Sequence, residues 1–221
     1  MTKAKSSVSK KMDSVQAPIA AFLKSIGFRK QRRTFNRSVK SGIVQVVNFQ
    51  MGGYPIGPHY EIPGIRKSFY GNFTVNLGVY ISDIYEVTMP RTTTFPREYH
   101  CEIRARLSEL ATGDDSWWDL NGDVDLISQD VIRKLENFGV PLLERFQTRD
   151  AIVSAWIPYS AEHALDGWLR SRLPVALILL NRDNRAAAQA LFDEHIKKPT
   201  RNPGHVNFVK ELARRVGLDS S

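Results

Sequence analysis

Apolar residues recur at helical spacing through Val15, Ile19, Phe22, Leu23 and Ile26, and Gly27 follows them. The pattern predicts a helix over residues 14–26, capped by Asp13 or Ser14, with Pro18 tolerated near its first turn. After Gly27 the period drops to two. Residues 28–37 read as a basic strand, Ser41-Gly42 as a turn, and residues 43–50 as a second strand. Residues 51–72 form a long connection rich in glycine and proline, a length often associated with function. The clearest strand follows, with Phe73, Val75, Leu77, Val79 and Ile81 on one face and Thr74, Asn76, Gly78 and Tyr80 on the other. After a loop containing Pro90 and Pro96, a fourth strand is expected over residues 99–107. Tyr99, Cys101, Ile103, Ala105 and Leu107 would face inward, and His100, Glu102, Arg104 and Arg106 outward.

Beyond this point the period is helical. Asp125 is placed to cap a helix carrying Ile127, Val131, Leu135 and Phe138, with Gly139 as its stop and Pro141 opening a short successor. Further helices are expected over residues 161–172 behind Ser160, from Pro174 to Leu180, over residues 186–196 and over residues 205–216. Helix, then a mostly antiparallel sheet of about four strands, then helices is an α+β order. The expected organisation is a basic disordered tail (1–12), an α+β domain (13–148) and a helical C-terminal part (149–221). That last part would pack on the domain or form a small subdomain.

Composition adds bounds. At 221 residues, 42% hydrophobic and 24% charged, the chain can bury a real core. No apolar run follows the basic start, and Val175 to Leu180 is too short to span a bilayer. Cys101 is the single cysteine, which rules out an internal disulfide and fits a reducing compartment. A soluble, cytoplasmic protein without a membrane partner is expected. The net charge of +8 is uneven, because residues 1–50 hold eleven Lys or Arg against Asp13 alone, leaving −2 for the rest. Local basicity points to an acidic or polyanionic partner, although charged runs also serve as solvated faces.

Chemistry-bearing motifs are sparse. The five histidines form no metal-binding pair in sequence, and one cysteine builds no zinc knuckle. Residues 119–130 imitate a calcium loop, but Val124 stands where the loop needs glycine and Asp130 where it needs glutamate. An Asn-Gly turn with an aspartate helix cap accounts for the same residues. No nucleophile elbow, dinucleotide fingerprint or phosphate loop occurs, and Cys101 reads as a buried core thiol. No catalytic residue, metal or cofactor is therefore assigned.

What remains is a polar sheet face carrying Asn48, Gln50, Thr74, Asn76, His100, Arg104 and Arg106. If the register aligns them, they suit a carboxylate, a phosphate or an acidic protein. Of the adjacent Trp117 and Trp118, one is expected to anchor its loop in the core while the other covers the sheet or meets a partner.

Gly27-Phe28-Arg29-Lys30, Arg33-Thr34-Phe35, Val47-Asn48-Phe49-Gln50, Phe73 to Val79, Arg106-Leu107 and the tryptophan pair together resemble the bacterial domain of unknown function 4304. The resemblance spans about residues 14–146 and leaves residues 151–221 unmatched. It implies a small bacterial cytoplasmic α+β protein, similar in general type to accessory proteins of toxin-immunity or defence clusters, with no activity or catalytic residues to carry over. The leading expectation is a non-enzymatic module that binds an acidic protein through Arg29, Lys30, Arg32, Arg33, Asn76, His100, Arg104 and Arg106. Two alternatives stand beside it: a nucleic-acid binder using the basic first 40 residues, and an enzyme with a dispersed site at His100, Glu102 and Arg104.

Overall fold

Alternating β-branched and aromatic residues build the centre of the molecule, seen in a computed structural model that describes residues 6–39, 42–53, 69–89, 93–156, 173–197 and 203–219. The expectations for Ser41, for most of the 51–72 connection, for Pro90 and for the 161–172 helix fall outside those residues. In chain order the first elements are α1 (Ser7–Ser25), β1 (Arg29–Gln31), β2 (Thr34–Ser38), β3 (Ile43–Met51), β4 (Asn72–Ile81) and α2 (Ser82–Thr88). A 3-10 turn (Glu98–His100), β5 (Ile103–Arg106), α3 (Leu107–Thr112), β6 (Trp118–Asp119) and α4 (Val124–Lys134) follow. A π-helical turn (Leu135–Gly139) joins α4 to α5 (Val140–Arg145), and α6 (Arg149–Trp156), α7 (Leu173–Leu180), α8 (Arg185–Lys197) and α9 (Pro203–Arg215) end the chain. The fold is α+β.

The six strands form one antiparallel sheet in the order β1-β2-β3-β4-β5, with β6 pairing the start of β4 on the same edge as β5. Ile43, Val47, Phe49, Phe73, Val75, Leu77, Val79 and Ile81 face one core together with Val15, Ile19 and Leu23 of α1, Val131 of α4 and Leu143 of α5. Helices thus cover one face, which we call the helix face. Ser128 of α4 ties the layer to α1 by donating to the Val15 carbonyl at 3.0 Å. Gln45 of β3 points into this layer. Gln45 is fully buried, accepts from Arg37 Nε at 2.6 Å and donates to the Leu143 carbonyl at 2.6 Å.

Several boundaries differ from the sequence expectation for physical reasons. Residues 7–12, expected within a disordered tail, are the opening turns of α1, capped by Ser6 and anchored by the fully buried Met12. The single basic strand over 28–37 is a hairpin of β1 and β2, turning at Arg32 with a positive φ of 56°. The fourth strand is shorter than 99–107, because residues 98–100 coil into a 3-10 turn before β5 begins. Asp123, not Asp125, caps α4, accepting from Asp125 N and Leu126 N. Gly139 does not stop a helix. It is helical, with φ −68°, and a Cβ there would lie 3.1 Å from Leu135 and 3.2 Å from Leu107, so glycine lets this turn pack closely against α3.

The C-terminal helices connect to the sheet domain at α2. Asp83 accepts from Arg149 and, at 3.0 Å, from Asn181, and Arg215 donates to the Val87 carbonyl at 3.0 Å. Helix α7 is apolar all round, with only Leu180 partly exposed, and therefore serves as the core of this part. No helix among the described residues is long and apolar enough to cross a membrane.

Replacing Gln45 by alanine removes both of its hydrogen bonds and leaves the Leu143 carbonyl only the longer bond from the Phe146 N–H at 3.3 Å. We expect Gln45→Ala to lower stability by about 1–3 kcal/mol in urea denaturation. An unchanged midpoint would show that the buried amide is not structural.

Candidate functional site

The opposite face of the sheet is polar, and the register explains how. Residues directly paired across antiparallel strands project to the same face. Gln31 pairs with Thr34, Thr34 with Asn48, Asn48 with Asn76, and Asn76 with Arg106, so one row crosses from β1 to β5. The next row holds Arg29, Asn36, Val46, Gly78 and Arg104. Gln50 and Thr74 pair on the other side of the first row.

The rows are knitted by side-chain hydrogen bonds. Asn48 Nδ2 donates to Thr34 Oγ1 at 2.8 Å, and Asn76 Nδ2 to Gln50 Oε1 at 2.9 Å. Arg106 Nε donates to Asn76 Oδ1 at 3.4 Å while its Nη1 pairs with Asp115. This chain of donors runs outward from Arg106 and ends on the exposed Gln50 amide. Two members stay unsatisfied: Asn36 Oδ1 and the fully buried Thr74 Oγ1 have no hydrogen-bond partner. A buried polar atom without a partner is costly, and Gln16 Nε2 on α1 and Ser108 Oγ on α3 share that condition.

Aromatic rings border the rows. Trp117 packs on Phe69 with centroids 4.6 Å apart, and the Arg106 guanidinium lies 5.5 Å from the Trp117 ring centre. Trp118 turns the other way, stacks on Phe73 and donates to Asp130 at 2.9 Å. Trp118 is thus the core anchor, and Trp117 is the ring beside the polar face.

Further along β4 the face becomes apolar and titratable. Cys101 lies over Gly78 and packs with Val46 and Tyr80, while Tyr85 and His100 pack edge-on beside them. Cys101 was expected on the helix face. The 3-10 turn instead puts it on the far one, where burial pushes the thiol well above its ordinary pKa and keeps it protonated. Burial and neighbouring Arg97 lower the pKa of His100, whose Nδ1 accepts the Arg97 N–H at 3.0 Å. Burial, with Glu102 and Glu86 adding to it, raises the Tyr80 phenol to about 12.

The predicted residues are only partly brought together. Asn76, Arg104 and Arg106 share the far face. His100 stands at its margin in the 3-10 turn, between Tyr85 and Tyr99. The basic cluster is divided. Arg29 belongs to the far-face row, Lys30 lies 5.6 Å from the Phe35 ring, Arg32 is exposed at the turn, and Arg33 reaches α1 at Ser9 and Asp13. The three residues of the enzyme alternative also diverge. His100 engages Arg97, Glu102 accepts the Ile81 N–H at 2.8 Å, and Arg104 pairs with Glu98.

The calcium-like segment is occupied by its own contacts. Asp119 accepts from Asn121 N at 2.9 Å, Asp123 caps α4, and Asn121 accepts from Lys11. Burial opposes ionisation of Asp130, but hydrogen bonds from Lys134, Trp118 and Arg133 outweigh it and lower its pKa. Among the described residues no group of three or more His, Cys, Asp or Glu could hold a metal ion.

Glu102 was read as an outward surface residue, and its environment is the main feature that sequence reasoning missed. Burial raises its carboxyl from 4.5 to about 8, against the lowering effect of hydrogen bonds from the Ile81 and Glu102 N–H groups. The folded chain holds this proton more tightly than the unfolded chain. The associated stability is complete below pH 4.5 and is lost as pH rises towards 8.

Compared with known proteins, the family model described as domain of unknown function (DUF4304) matches residues 64–145. The chain is similar to that family over this stretch, which includes β4, β5, the tryptophan loop, α4 and the π-helical turn. The blocks around residues 27–50 lie outside it. No curated protein and no solved structure matches the chain.

Glu102→Gln keeps an acceptor for the Ile81 N–H and removes the titration. We expect equal stability at pH 4, and a variant more stable than the parent by about 1–3 kcal/mol at pH 8.5, from urea midpoints. Parallel profiles would show that Glu102 is ionised in the fold.

Proposed function

We propose that the protein is a non-enzymatic binding module that takes an acidic protein surface on the far face of its sheet. The observation that supports this reading best is the aligned row from Thr34 to Arg106. From Arg106 its hydrogen bonds pass through Asn76 to the exposed Gln50 amide beside the row, Asn48 donates separately to Thr34, and Arg29, Arg104 and Trp117 flank it. Amide and guanidinium donors recognise carboxylates, and a tryptophan supplies contact area that a polar row lacks. Glu98 and Asp115 hold Arg104 and Arg106 in place, and a guanidinium carries five donors, so each keeps capacity for a second acceptor. The divided basic hairpin favours a protein over a nucleic acid, because tracking phosphates needs cations on one continuous surface.

The test is affinity capture from nuclease-treated lysate of the source cells, comparing wild type with Arg29→Glu/Arg104→Glu, followed by titration of the captured protein in purified form. We expect one stoichiometric protein held by wild type and bound at least 10-fold more weakly by the variant. Capture that disappears with nuclease, or equal binding by both chains, overturns the reading.

A further inference from the structure

Two of the far-face arginines already hold a carboxylate, and they hold it in opposite ways. Arg104 pairs with Glu98, whose side chain is 13% exposed, while that of Arg104 is 51% exposed. There the acid is fixed in the fold and the arginine reaches solvent. Arg106 pairs with Asp115, and the exposures are reversed, 26% for the arginine and 52% for the acid. Arg106 is built into the sheet. It stands on β5 opposite Asn76, its Nε donates to Asn76 Oδ1 at 3.4 Å, and its guanidinium lies 5.5 Å from the Trp117 ring centre. Asp115 stands on the loop between α3 and β6, in which residues 113–116 are all exposed. Local bonds shape that loop, since the Gly113 N–H donates to the Glu109 carbonyl at 2.8 Å and the Ser116 N–H to the Asp114 carbonyl at 2.9 Å.

On the reading that the far face takes an acidic protein, Asp115 is a carboxylate already seated where a carboxylate of the partner would go. We propose that Asp115 is an internal stand-in for the partner, and that docking places an aspartate or glutamate of the partner on Arg106 in its stead.

The two halves of the pair differ in what separation does to them. Without Asp115, Arg106 keeps Asn76 and the Trp117 ring, so the site stays formed. Asp115 released from Arg106 passes into water, which solvates a carboxylate well. An incoming carboxylate first takes one of the remaining guanidinium N–H groups. Two carboxylates on one guanidinium repel each other, and the one carried by an exposed loop is the one that leaves.

This gives a role to the Asp114-Asp115 run, which otherwise works against a site for acids. An ion pair this exposed is weak, so Asp115 tempers affinity by a small factor and does not close the site. A built-in competitor of that strength suppresses surfaces with a lone acid and admits those that offer several.

The experiment measures binding of fluorescein-labelled octaglutamate to the full chain by fluorescence anisotropy at low ionic strength. Wild type is compared with Asp115→Asn, Asp114→Asn, Arg106→Gln and the double variant Arg106→Gln/Asp115→Asn, each checked for folding by far-UV circular dichroism. We expect Asp115→Asn to bind about 2- to 5-fold more tightly than wild type, the range of an exposed ion pair. Asp114→Asn removes the same charge without touching the pair, and its effect should be clearly smaller. The gain should vanish once Arg106 is replaced, so that the double variant binds as Arg106→Gln does. Unchanged or weaker binding by Asp115→Asn overturns the proposal and leaves the far-face reading standing, because Asp115 then only positions Arg106. An equal gain from Asp114→Asn, or a gain that survives Arg106→Gln, also overturns it, since the effect is then one of net charge. Peptide binding by neither wild type nor Asp115→Asn, or binding that Arg29→Glu/Arg104→Glu leaves intact, overturns both.

Discussion

Strand β4 is the constraint on which the other elements depend. Nine of its ten residues are buried, although the strand carries Thr74, Asn76 and Gly78 among its apolar residues. It pairs with β3 over nine positions and shares its other edge between β5 and β6. A strand enclosed on both faces leaves its polar groups little bulk water, so a partner within the protein stabilises each; Asn76 has one and the Thr74 hydroxyl does not. The amide row is one consequence. The approach of the 3-10 turn is another, since a Cβ on Gly78 would lie 2.6 Å from the Cys101 sulfur. Only glycine allows the chain before β5 to descend this close to the sheet. The end of β4 leads directly into α2, whose Asp83 holds Arg149 and Asn181. The same strand therefore supports the core, the polar face and the junction with the C-terminal helices.

The helix layer was legible because its signal is periodic and local. Val15, Ile19 and Leu23 on α1, and Phe73 to Ile81 on β4, alternate as their elements require, and the structure buries them as the spacing demands. What escaped the sequence was short or depended on register. The hairpin turn at Arg32 contains no glycine or asparagine and carries no turn signature. Cys101 changed sides, and Glu102 gained the Ile81 N–H as a partner, because three residues of 3-10 turn broke the alternation before β5. A one-residue slip exchanges the faces of everything that follows, so parity counted through a coil fails without warning.

Alignment of the polar row shows the same limit from the other side. Strand parity placed Thr74 with Asn76, and Arg104 with Arg106, each within its own strand. Pairing alone could place Asn76 opposite Arg106 and Gly78 opposite Arg104. The tryptophan pair was more informative, because adjacent side chains on an extended segment must diverge. Trp118 went to the core and Trp117 to the polar face.

Stability alone does not account for the far face. Thr74 is fully buried with an unpartnered hydroxyl, and Asn36 is buried with an unpartnered carbonyl oxygen. An apolar residue of similar shape avoids that penalty, about 1–3 kcal/mol for a polar group left unsatisfied. Unpartnered polar atoms are not confined to the far face, since Gln16 Nε2 on α1 and Ser108 Oγ on α3 are buried without a partner as well, while Gln45 uses both ends of its amide. What sets the far face apart is continuity with the surface. Its buried Thr34, Asn36 and Asn76 lie in rows that run on to the exposed Arg29, Arg104 and Gln50, beside the Trp117 ring. A polar row that passes from the interior to exposed arginines and amides lets a contact at its rim be felt at its centre.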